Sequence, residues 1–272
     1  MTLFQSNSNC AGDAICAMTC PVGIIQMVDG KPTPTEYAEN TCISCGHCVA
    51  VCPHSAMDHS RIKTADCPVI DENLVLNENQ VEQFLRTRRS IRTYKDQPVS
   101  KEKLTRLVEL ARYGNTGHNS QTVKWHVTDD RDKIIKMVDA TVDWMNYMIK
   151  EQPEIAKALH FVLLVRAWKK GHDGISRNAP AMITAYSDVN DRMAPQSSMI
   201  ALSYLELAAP ALNLGTCWAG FMFMAASTWP GMKTAIGLSE NDKVNGMVLV
   251  GHPKFKYHRM PLRKEPVITW HE

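Results

Sequence analysis

Four cysteines and a proline form the densest group of metal-binding residues in the chain. They follow the pattern C-x2-C-x2-C-x3-C-P and are Cys42, Cys45, Cys48, Cys52 and Pro53. Cysteine thiolates at this spacing bind cubane iron–sulfur clusters, and the fourth cysteine of such a run ligates the other cluster of a two-cluster module. The run therefore predicts one cluster and a partner motif elsewhere in the sequence.

A second motif near the start of the chain repeats this pattern with one change. It has the same spacing and the same closing proline, but an aspartate replaces the second cysteine: Cys10, Asp13, Cys16, Cys20 and Pro21. The two motifs form an internal repeat of one small unit. Because the fourth ligand of each motif crosses over, one predicted 4Fe-4S cluster is held by Cys20, Cys42, Cys45 and Cys48. The other predicted cluster is held by Cys10, Asp13, Cys16 and Cys52.

The aspartate gives the second predicted cluster a different character. A carboxylate is a harder ligand than a thiolate and holds a cluster iron less firmly. We therefore expect the cluster that includes Asp13 to convert between 4Fe-4S and 3Fe-4S forms. We expect the cluster with four cysteine ligands to stay in the 4Fe-4S form.

Two other uses of such cysteines are open from the spacing alone. Paired cysteines hold structural zinc, and cysteine-rich chains form disulfide frameworks. Zinc sites rarely place four thiols in one short run, and here the run occurs twice. The first residues lack the basic and apolar regions of a secretory signal, so we expect a reducing, cytoplasmic compartment. Residues 1 to about 70 resemble a bacterial two-cluster ferredoxin.

Composition divides the chain into two parts. Eight of the nine cysteines lie before residue 68, and Cys67, which belongs to neither motif, is interpreted as a boundary residue. The chain has 272 residues, enough for two unequal domains, which we predict at 1–72 and 77–272. A net charge of +2 gives no indication of a nucleic-acid partner, and the longest aliphatic run, 162–165, is too short to cross a membrane.

The regular elements of the second part are predicted from caps and apolar spacing. Helices are predicted after Asn77, with Val81, Phe84 and Leu85 on the buried side; after Ser100, ending at Gly114; over 131–149; and over 197–213, ending at Gly215. Strands are predicted over 23–28, turning at Asp29–Gly30, and over 124–128, 181–186, 246–250 and 267–270. Since helices and strands are interspersed without a regular βαβ order, we predict an α+β fold.

A basic segment opens the second part. It contains three arginines and a serine within five residues: Arg88, Arg89, Ser90 and Arg92. Guanidinium groups offer forked donors that match the oxygens of a phosphate. Arginines also suit a solvated helix end, where they complement the helix dipole, and a nucleic-acid patch is a weaker third reading because the domain is not basic overall. The segment alone leaves phosphate binding and a helix end equally open.

Five segments in chain order resemble the FMN-dependent nitroreductase family. They are 88–94 with 98–99, 114–121 ending near Trp125, 179–180, 214–220, and 251–253 with Arg259, Pro261 and Arg263. The resemblance covers 77–272 and implies a nitroreductase-like α+β domain after the small ferredoxin-like domain. It also implies a homodimer that binds FMN in its interface, with the strand at 267–270 exchanged between subunits.

The resemblance implies roles for individual residues. The FMN phosphate and ribityl chain are expected to contact Arg88, Arg89, Ser90, Arg92, Asn119, Gln121 and either Arg259 or Arg263. The isoalloxazine ring is expected to lie against Gly215, Thr216, Cys217 and Trp218. Cys217 is interpreted as a packing residue. The flavin carries the chemistry, so no catalytic acid is predicted, and His118 is a candidate proton donor by position only.

The combination of the two parts predicts a function. Clusters transfer single electrons, whereas a flavin accepts electrons singly and delivers them singly or in pairs. We therefore expect an oxidoreductase that passes electrons through the clusters to FMN and reduces a nitro-group or quinone-like acceptor. Reduced ferredoxin or NAD(P)H is the expected donor, although the chain has no G-x-G-x-x-G fingerprint. The alternatives are an electron-transfer or redox-sensing protein without a small substrate, and a dehalogenating or flavin-modifying relative.

Overall fold

The computed structural model describes residues 2–271 and divides into two compact units. The first unit comprises the chain up to Leu76 together with Gly117–Ser120. The second unit comprises Asn77–Thr116 and the chain from Gln121 onward. The residues on both sides of Gly117–Ser120 belong to the second unit. No pattern in the sequence predicts that this short segment groups with the first unit instead.

The first unit is built from short strands and single-turn helices. Its elements are β1 (Phe4–Ser6), α1 (Ile15–Met18), β2 (Ile25–Val28), β3 (Lys31–Pro34), α2 (Ala38–Thr41), α3 (His47–Ala50) and β4 (Met57–His59). β1 pairs with β4 and β2 pairs with β3, both antiparallel. The predicted turn is confirmed, since Asp29 and Gly30 have φ angles of 50° and 73°, the positive values that a two-residue hairpin requires.

The internal repeat of the sequence is also a repeat of backbone conformation. α1 follows Ala14 and α3 follows Gly46, and these two residues have φ angles of 60° and 75°. Gly12 and Ser44, which precede the second ligand position of each motif, also have positive φ, 72° and 50°. Left-handed residues turn the chain sharply. Each motif therefore makes the same two sharp turns around its ligand residues.

The second unit is an antiparallel sheet with helices on both faces. Its strands are β5 (Lys124–Thr128), β6 (Ala181–Asp188), β7 (Gly215–Trp218) and β8 (Asp242–Gly251), in the order β5-β6-β8-β7. Its helices are α4 (Glu78–Thr87), α5 (Lys101–Ala111), α6 (Arg131–Glu151), α7 (Pro153–Ala158), α8 (Phe161–Lys169), α9 (Ala194–Ala208), α10 (Gly220–Thr228) and α11 (Pro230–Ile236).

Alternate residues of the central strands point to opposite faces of this sheet. Ile183 and Val248 lie in the apolar core that includes Leu202 of α9, whereas Met182 and Leu249 lie in the core formed with α6 and α10. The predicted α+β fold is thereby confirmed.

The predicted start of α4 is confirmed, but its buried stripe is wrong for the single chain. The side-chain oxygen of Asn77 accepts from the Gln80 N–H at 3.0 Å, and the Gln80 side-chain oxygen accepts from the Asn77 N–H at 2.9 Å. Val81, Phe84 and Leu85 are nevertheless 38%, 41% and 52% exposed. Helical spacing defines an apolar face without defining what covers it.

Two predicted helix ends have different causes from those expected. α9 continues as a 3-10 turn and ends at Asn213, whose φ of 57° is left-handed, so Gly215 begins β7 rather than ending the helix. Gly114 is not left-handed. A Cβ at Gly114 would lie 2.9 Å from the Cα of Ala201, so glycine is required there for close packing against α9.

The predicted strand over 267–270 is wrong for the single chain. The segment has no regular structure, and Val267 and Trp270 are 98% and 83% exposed. A strand needs a hydrogen-bonded neighbour, and no strand among residues 2–271 pairs with this segment. None of the helices in the described part of the chain is both long and apolar enough to cross a membrane.

Candidate functional site

One small cavity of the first unit is lined by four cysteines. These are Cys20, Cys42, Cys45 and Cys48, the set that the crossed-over spacing predicts for one cluster. Burial, together with charge repulsion from the nearby thiols of Cys45, Cys20 and Cys42, raises the pKa of Cys48 to about 11. Four thiolates in one place thus need a cationic partner, which cluster iron supplies.

A second cavity of the same unit is lined by three cysteines and an aspartate. These are Cys10, Asp13, Cys16 and Cys52, the set predicted for the other cluster. The Asp13 carboxylate is oriented by the N–H of Ile15, which donates to Oδ1 at 3.1 Å. The N–H of Ala56 donates to Cys52 Sγ at 3.2 Å. Burial raises the pKa of Cys16, and the charges of Asp13 and Cys10 act in the same direction.

The arrangement of these side chains fits clusters better than single metal ions. Zinc needs thiolate, imidazole or carboxylate ligands that converge to within about 2.0–2.3 Å of one point. Within residues 2–271 no three His, Cys, Asp or Glu side chains form a group that could hold one metal ion. An iron–sulfur cubane binds each thiolate at a different iron, so thiols spaced around a cavity suit it.

The loop that carries Cys42 and Cys45 is held by hydrogen bonds from distant residues. Arg61 Nη1 donates to the Cys42 carbonyl at 3.3 Å. Asn119 Nδ2 donates to the carbonyls of Ile43 and Ser44 at 3.2 Å and 2.8 Å. Asn119 is one of the residues that the resemblance assigns to FMN, and the structure instead places its amide on this loop of the first unit.

His59 contacts the sulfur of a predicted ligand. Its Nε2 lies 3.5 Å from Cys42 Sγ, and its Nδ1 accepts from the N–H of Arg61 at 3.1 Å. Burial and the adjacent Arg61 charge lower the pKa of His59. Sequence reasoning missed His59 because its position, after the last cysteine motif, has no spacing signature.

The second unit contains a cleft of about 580 Å³. This volume lies in the range of small-molecule sites, roughly 300–1,000 Å³. Its lining includes Gly215, Thr216 and five basic residues: Arg88, Arg89, Lys95, Lys254 and Lys256. A basic cleft of this size fits a phosphate-bearing cofactor such as FMN.

The basic segment that lines this cleft is fixed against β7. The N–H of Ile91 donates to the carbonyl of Thr216 at 2.8 Å. A Cβ at Gly215 would lie 2.4 Å from Cγ1 of Ile91. Glycine at position 215 is thus required to seat Ile91, a reason different from the close approach to a flavin ring that the resemblance implies.

A buried acidic residue, Glu206, also lines the cleft. Trp218 Nε1 donates to Glu206 Oε2 at 2.9 Å, and the Thr216 hydroxyl donates to Oε1 at 3.4 Å. Arg88 Nη1 lies 3.6 Å from Oε1. Three predicted FMN residues therefore converge on one acidic side chain. The sequence analysis did not identify Glu206. A single acidic residue within the mostly apolar helix α9 would have indicated a buried carboxylate with polar partners.

The other predicted FMN residues do not line this cleft in the described chain. Gln121, Arg259 and Arg263 are exposed. Arg92 donates from Nη1 to the Ser90 carbonyl at 3.5 Å. Cys217 is buried in the apolar core, and burial raises the pKa of its thiol. His118 is exposed and belongs with the first unit.

A model of the nitroreductase family matches residues 85–252. The chain belongs to the nitroreductase family. A model of a 4Fe-4S dicluster domain matches residues 9–57. The predicted order is thereby confirmed: a dicluster ferredoxin-type domain precedes the nitroreductase-family domain. The N-terminal part is 39% identical over 56 residues to formate hydrogenlyase subunit 2 of Escherichia coli strain K12, which is 21% of this chain and 26% of that protein. The match thus spans about a quarter of the relative's length.

Solved structures share the fold of the nitroreductase domain. A nitroreductase with bound FMN from Desulfitobacterium hafniense is 21% identical with a TM-score of 0.57, and covers 73% of this chain and all of its own. A nitroreductase with bound FMN from Bacteroides fragilis is 20% identical with a TM-score of 0.56, covering 72% and 100%. An iodotyrosine deiodinase bound to FMN and 3-iodo-L-tyrosine is 15% identical with a TM-score of 0.53, covering 71% and 99%.

Proposed function

We propose that this protein is an FMN- and iron–sulfur-dependent oxidoreductase that reduces small nitro-group or quinone-like acceptors, with electrons passed from the clusters to FMN. The observation that carries the proposal is the presence, in one chain, of two four-ligand cavities and a nitroreductase domain with a basic cleft. Reduced ferredoxin or NAD(P)H is the proposed donor.

The cavities of the first unit would each hold one iron–sulfur cluster. Clusters supply one-electron transfer when bound. The protein's part is to provide thiolates at fixed positions, to shield them with apolar neighbours such as Phe4 and Ile24, and to donate N–H groups to their sulfurs. Because all these cysteines must stay reduced to serve as ligands, a reducing cytoplasmic compartment is part of the proposal.

The cleft of the second unit would hold FMN. When bound, the flavin supplies hydride and electron transfer. Arg88, Arg89 and Lys95 would bind its phosphate through charge-assisted hydrogen bonds. Glu206 would orient Arg88 by holding one side of its guanidinium. No side chain is assigned as a catalytic acid.

A homodimer is also part of the proposal. The apolar face of α4, formed by Val81, Phe84 and Leu85, and the tail residues Val267 and Trp270 are exposed in the single chain. Large exposed apolar surfaces usually mark interaction sites. A second copy of the chain would bury them.

Anaerobic stopped-flow absorbance tests the function. Protein with a measured FMN, iron and sulfide content is reduced and then mixed with a nitroaromatic compound or a quinone. The proposal predicts that the acceptor reoxidises the flavin faster than buffer alone. Reoxidation at the buffer rate for every acceptor would favour an electron-transfer or redox-sensing protein without a small substrate.

Reductive dehalogenation is the second candidate function. It is favoured by the fold shared with the iodotyrosine deiodinase. Measuring iodide release from 3-iodo-L-tyrosine by the same reduced protein separates the two candidates.

A further inference from the structure

His59 is fixed in one orientation by contacts on three sides. Its ring stacks on Phe4, with ring centroids 6.3 Å apart and planes inclined by 25°. β4 pairs with β1 so that these two residues are directly opposite. The imidazole is buried, with 2% of the residue exposed. The ring therefore cannot turn freely, and its two nitrogens face fixed partners.

The partners of the two nitrogens determine which one carries the proton. The backbone N–H of Arg61 donates to Nδ1 at 3.1 Å, so Nδ1 is an acceptor and carries no hydrogen. In a neutral imidazole the other nitrogen then carries it. Nε2 lies 3.5 Å from Cys42 Sγ, which in the cluster-bound protein is a thiolate ligand. The tautomer selected by Arg61 thus directs an N–H at a cluster sulfur.

The other half of the repeat lacks this donor. Met27 holds, relative to Cys10, the position that His59 holds relative to Cys42. Ile25 and Met57 are the corresponding buried residues two positions earlier, and both lie at the start of their strands. A methionine side chain has no N–H or O–H to donate. Met27 is absent from the lining of the second cavity, which includes His54 from a different position of the repeat.

We propose that the His59 Nε2–H donates to the Cys42 thiolate and raises the midpoint potential of the cluster held by Cys20, Cys42, Cys45 and Cys48. Reduction places one more electron on the cluster, and part of the added negative charge lies on the cysteine sulfurs. A donor aimed at one of these sulfurs stabilises the reduced form more than the oxidised form, and hydrogen bonds to the sulfurs are one of the factors that set cluster potentials.

The inference rests on the proposed cluster assignment, but not on the acceptor or on FMN. His59 is a positioning residue in this scheme, because it acts on the cluster through Cys42. Arg61 contributes in two ways. Its backbone N–H selects the His59 tautomer, and its side chain donates a hydrogen bond to the Cys42 carbonyl.

EPR-monitored redox titration of the full-length protein tests the inference. His59→Met, which copies the residue of the other half, is expected to lower the midpoint potential of one cluster and leave the other unchanged. His59→Gln retains an N–H donor and is expected to restore part of the shift. His47→Met is the matched control, because His47 lines the same cavity but is exposed. Equal potentials in wild type and His59→Met, at equal iron content, would overturn the inference.

A second measurement decides the matter if His59→Met loses its cluster. Pulsed EPR of the reduced His47→Met/His54→Met double variant, labelled with 15N-histidine, is expected to detect a coupled histidine nitrogen at a cluster, because His59 remains after the other cavity-lining histidines are removed. The absence of any histidine coupling would contradict the hydrogen bond. Neither readout depends on flavin turnover. The hydrogen bond from His59 can therefore be confirmed or refuted even if the protein does not reduce nitro compounds or quinones.

Discussion

The two cluster cavities are built by one repeated motif, yet three of the differences between its halves bear directly on the predicted clusters. Their backbones share the left-handed residues before α1 and α3. Asp13 in one half corresponds to Cys45 in the other, Met27 to His59, and Asp29 to Arg61. The repeated backbone gives the two sets of predicted ligands similar positions. We propose that the residues that differ determine how firmly each cluster is held and how easily it is reduced.

The two halves also differ in how their loops are secured. The loop from Cys42 to Ser44 has hydrogen bonds to three consecutive carbonyls, supplied by Arg61 and Asn119. Arg61 itself is anchored by an ion pair with Glu39 at 2.7 Å. In the other half the Asp13 carboxylate accepts a hydrogen bond from the backbone N–H of Ile15, within its own motif. We therefore expect the all-cysteine cluster to be the more robust of the two.

The largest expected effect is the loss of one cluster when a thiolate ligand is removed. Cys45→Ala is expected to lower the iron and sulfide content by about half, since a 4Fe-4S cluster needs four ligands. Asp13→Ala is expected to lose much less iron, because the three cysteines of that site can retain a 3Fe-4S cluster. Iron and sulfide analysis under anaerobic conditions measures both, and equal losses would remove the distinction between the sites.

A smaller effect is expected when the aspartate is replaced by the ligand of the other half. Wild-type protein should develop a three-iron EPR signal on mild oxidation, and Asp13→Cys should abolish it, because thiolate holds the fourth iron more firmly than carboxylate. Cys67→Ser is the control, because it changes the number of thiols at a residue that belongs to neither cysteine motif, and it should leave the three-iron signal unchanged. If no three-iron signal forms in the wild type and the variant behaves identically, Asp13 is not a ligand.

A reciprocal substitution tests whether the histidine effect transfers between halves. Met27→His is expected to raise the potential of the Asp13 cluster, by on the order of tens of millivolts, since about 59 mV corresponds to about 1.4 kcal/mol for one electron. Met18→His, at an exposed methionine on α1, is the control. EPR-monitored titration measures the shift. An unchanged potential in a protein with both clusters would show that position 27 is not equivalent to position 59.

The smallest expected effect concerns the hydrogen bonds from Asn119 to the loop that carries Cys42 and Cys45. Asn119→Ala removes donors to the carbonyls of Ile43 and Ser44, at a cost of about 1 kcal/mol for a typical hydrogen bond. The all-cysteine cluster should release iron to a chelator several-fold faster, while the Asp13 cluster is unaffected. Asn40→Ala, at an exposed position on α2, is the control. If Asn119→Ala loses FMN but does not release iron faster, Asn119 contributes to FMN binding, as the family resemblance implies, and not to the stability of the cluster.

Local patterns in the sequence are sufficient for much of this fold. The capping residues of α4 and the Asp29–Gly30 turn depend on residues close together in the chain. The residues predicted for each cluster are farther apart, but they belong to two copies of a motif with a recognisable spacing. His59 and Glu206 could not be found in this way. Their partners, Cys42 and Trp218, are reached only after strands have paired and helices have packed.

The spacing of apolar residues also does not predict whether an apolar face is buried within the single chain. The apolar face of α4 and the tail at 267–270 have the patterns of a buried helix and a strand, but both are exposed in the single chain. An amphipathic pattern defines an apolar face without identifying what covers it. Asn119 is a third case, because a motif resemblance assigned it to FMN while its amide contacts the loop of the first unit.

The passage of electrons from the clusters to the flavin is tested most directly by anaerobic stopped-flow with reduced ferredoxin as the donor. Wild type and Cys45→Ala, both loaded with FMN, are compared by flavin absorbance. We expect ferredoxin to reduce the flavin of the wild type and to do so slower by about tenfold or more in Cys45→Ala, equivalent to at least about 1.4 kcal/mol in the barrier. Equal rates in the two proteins would contradict electron transfer through the clusters.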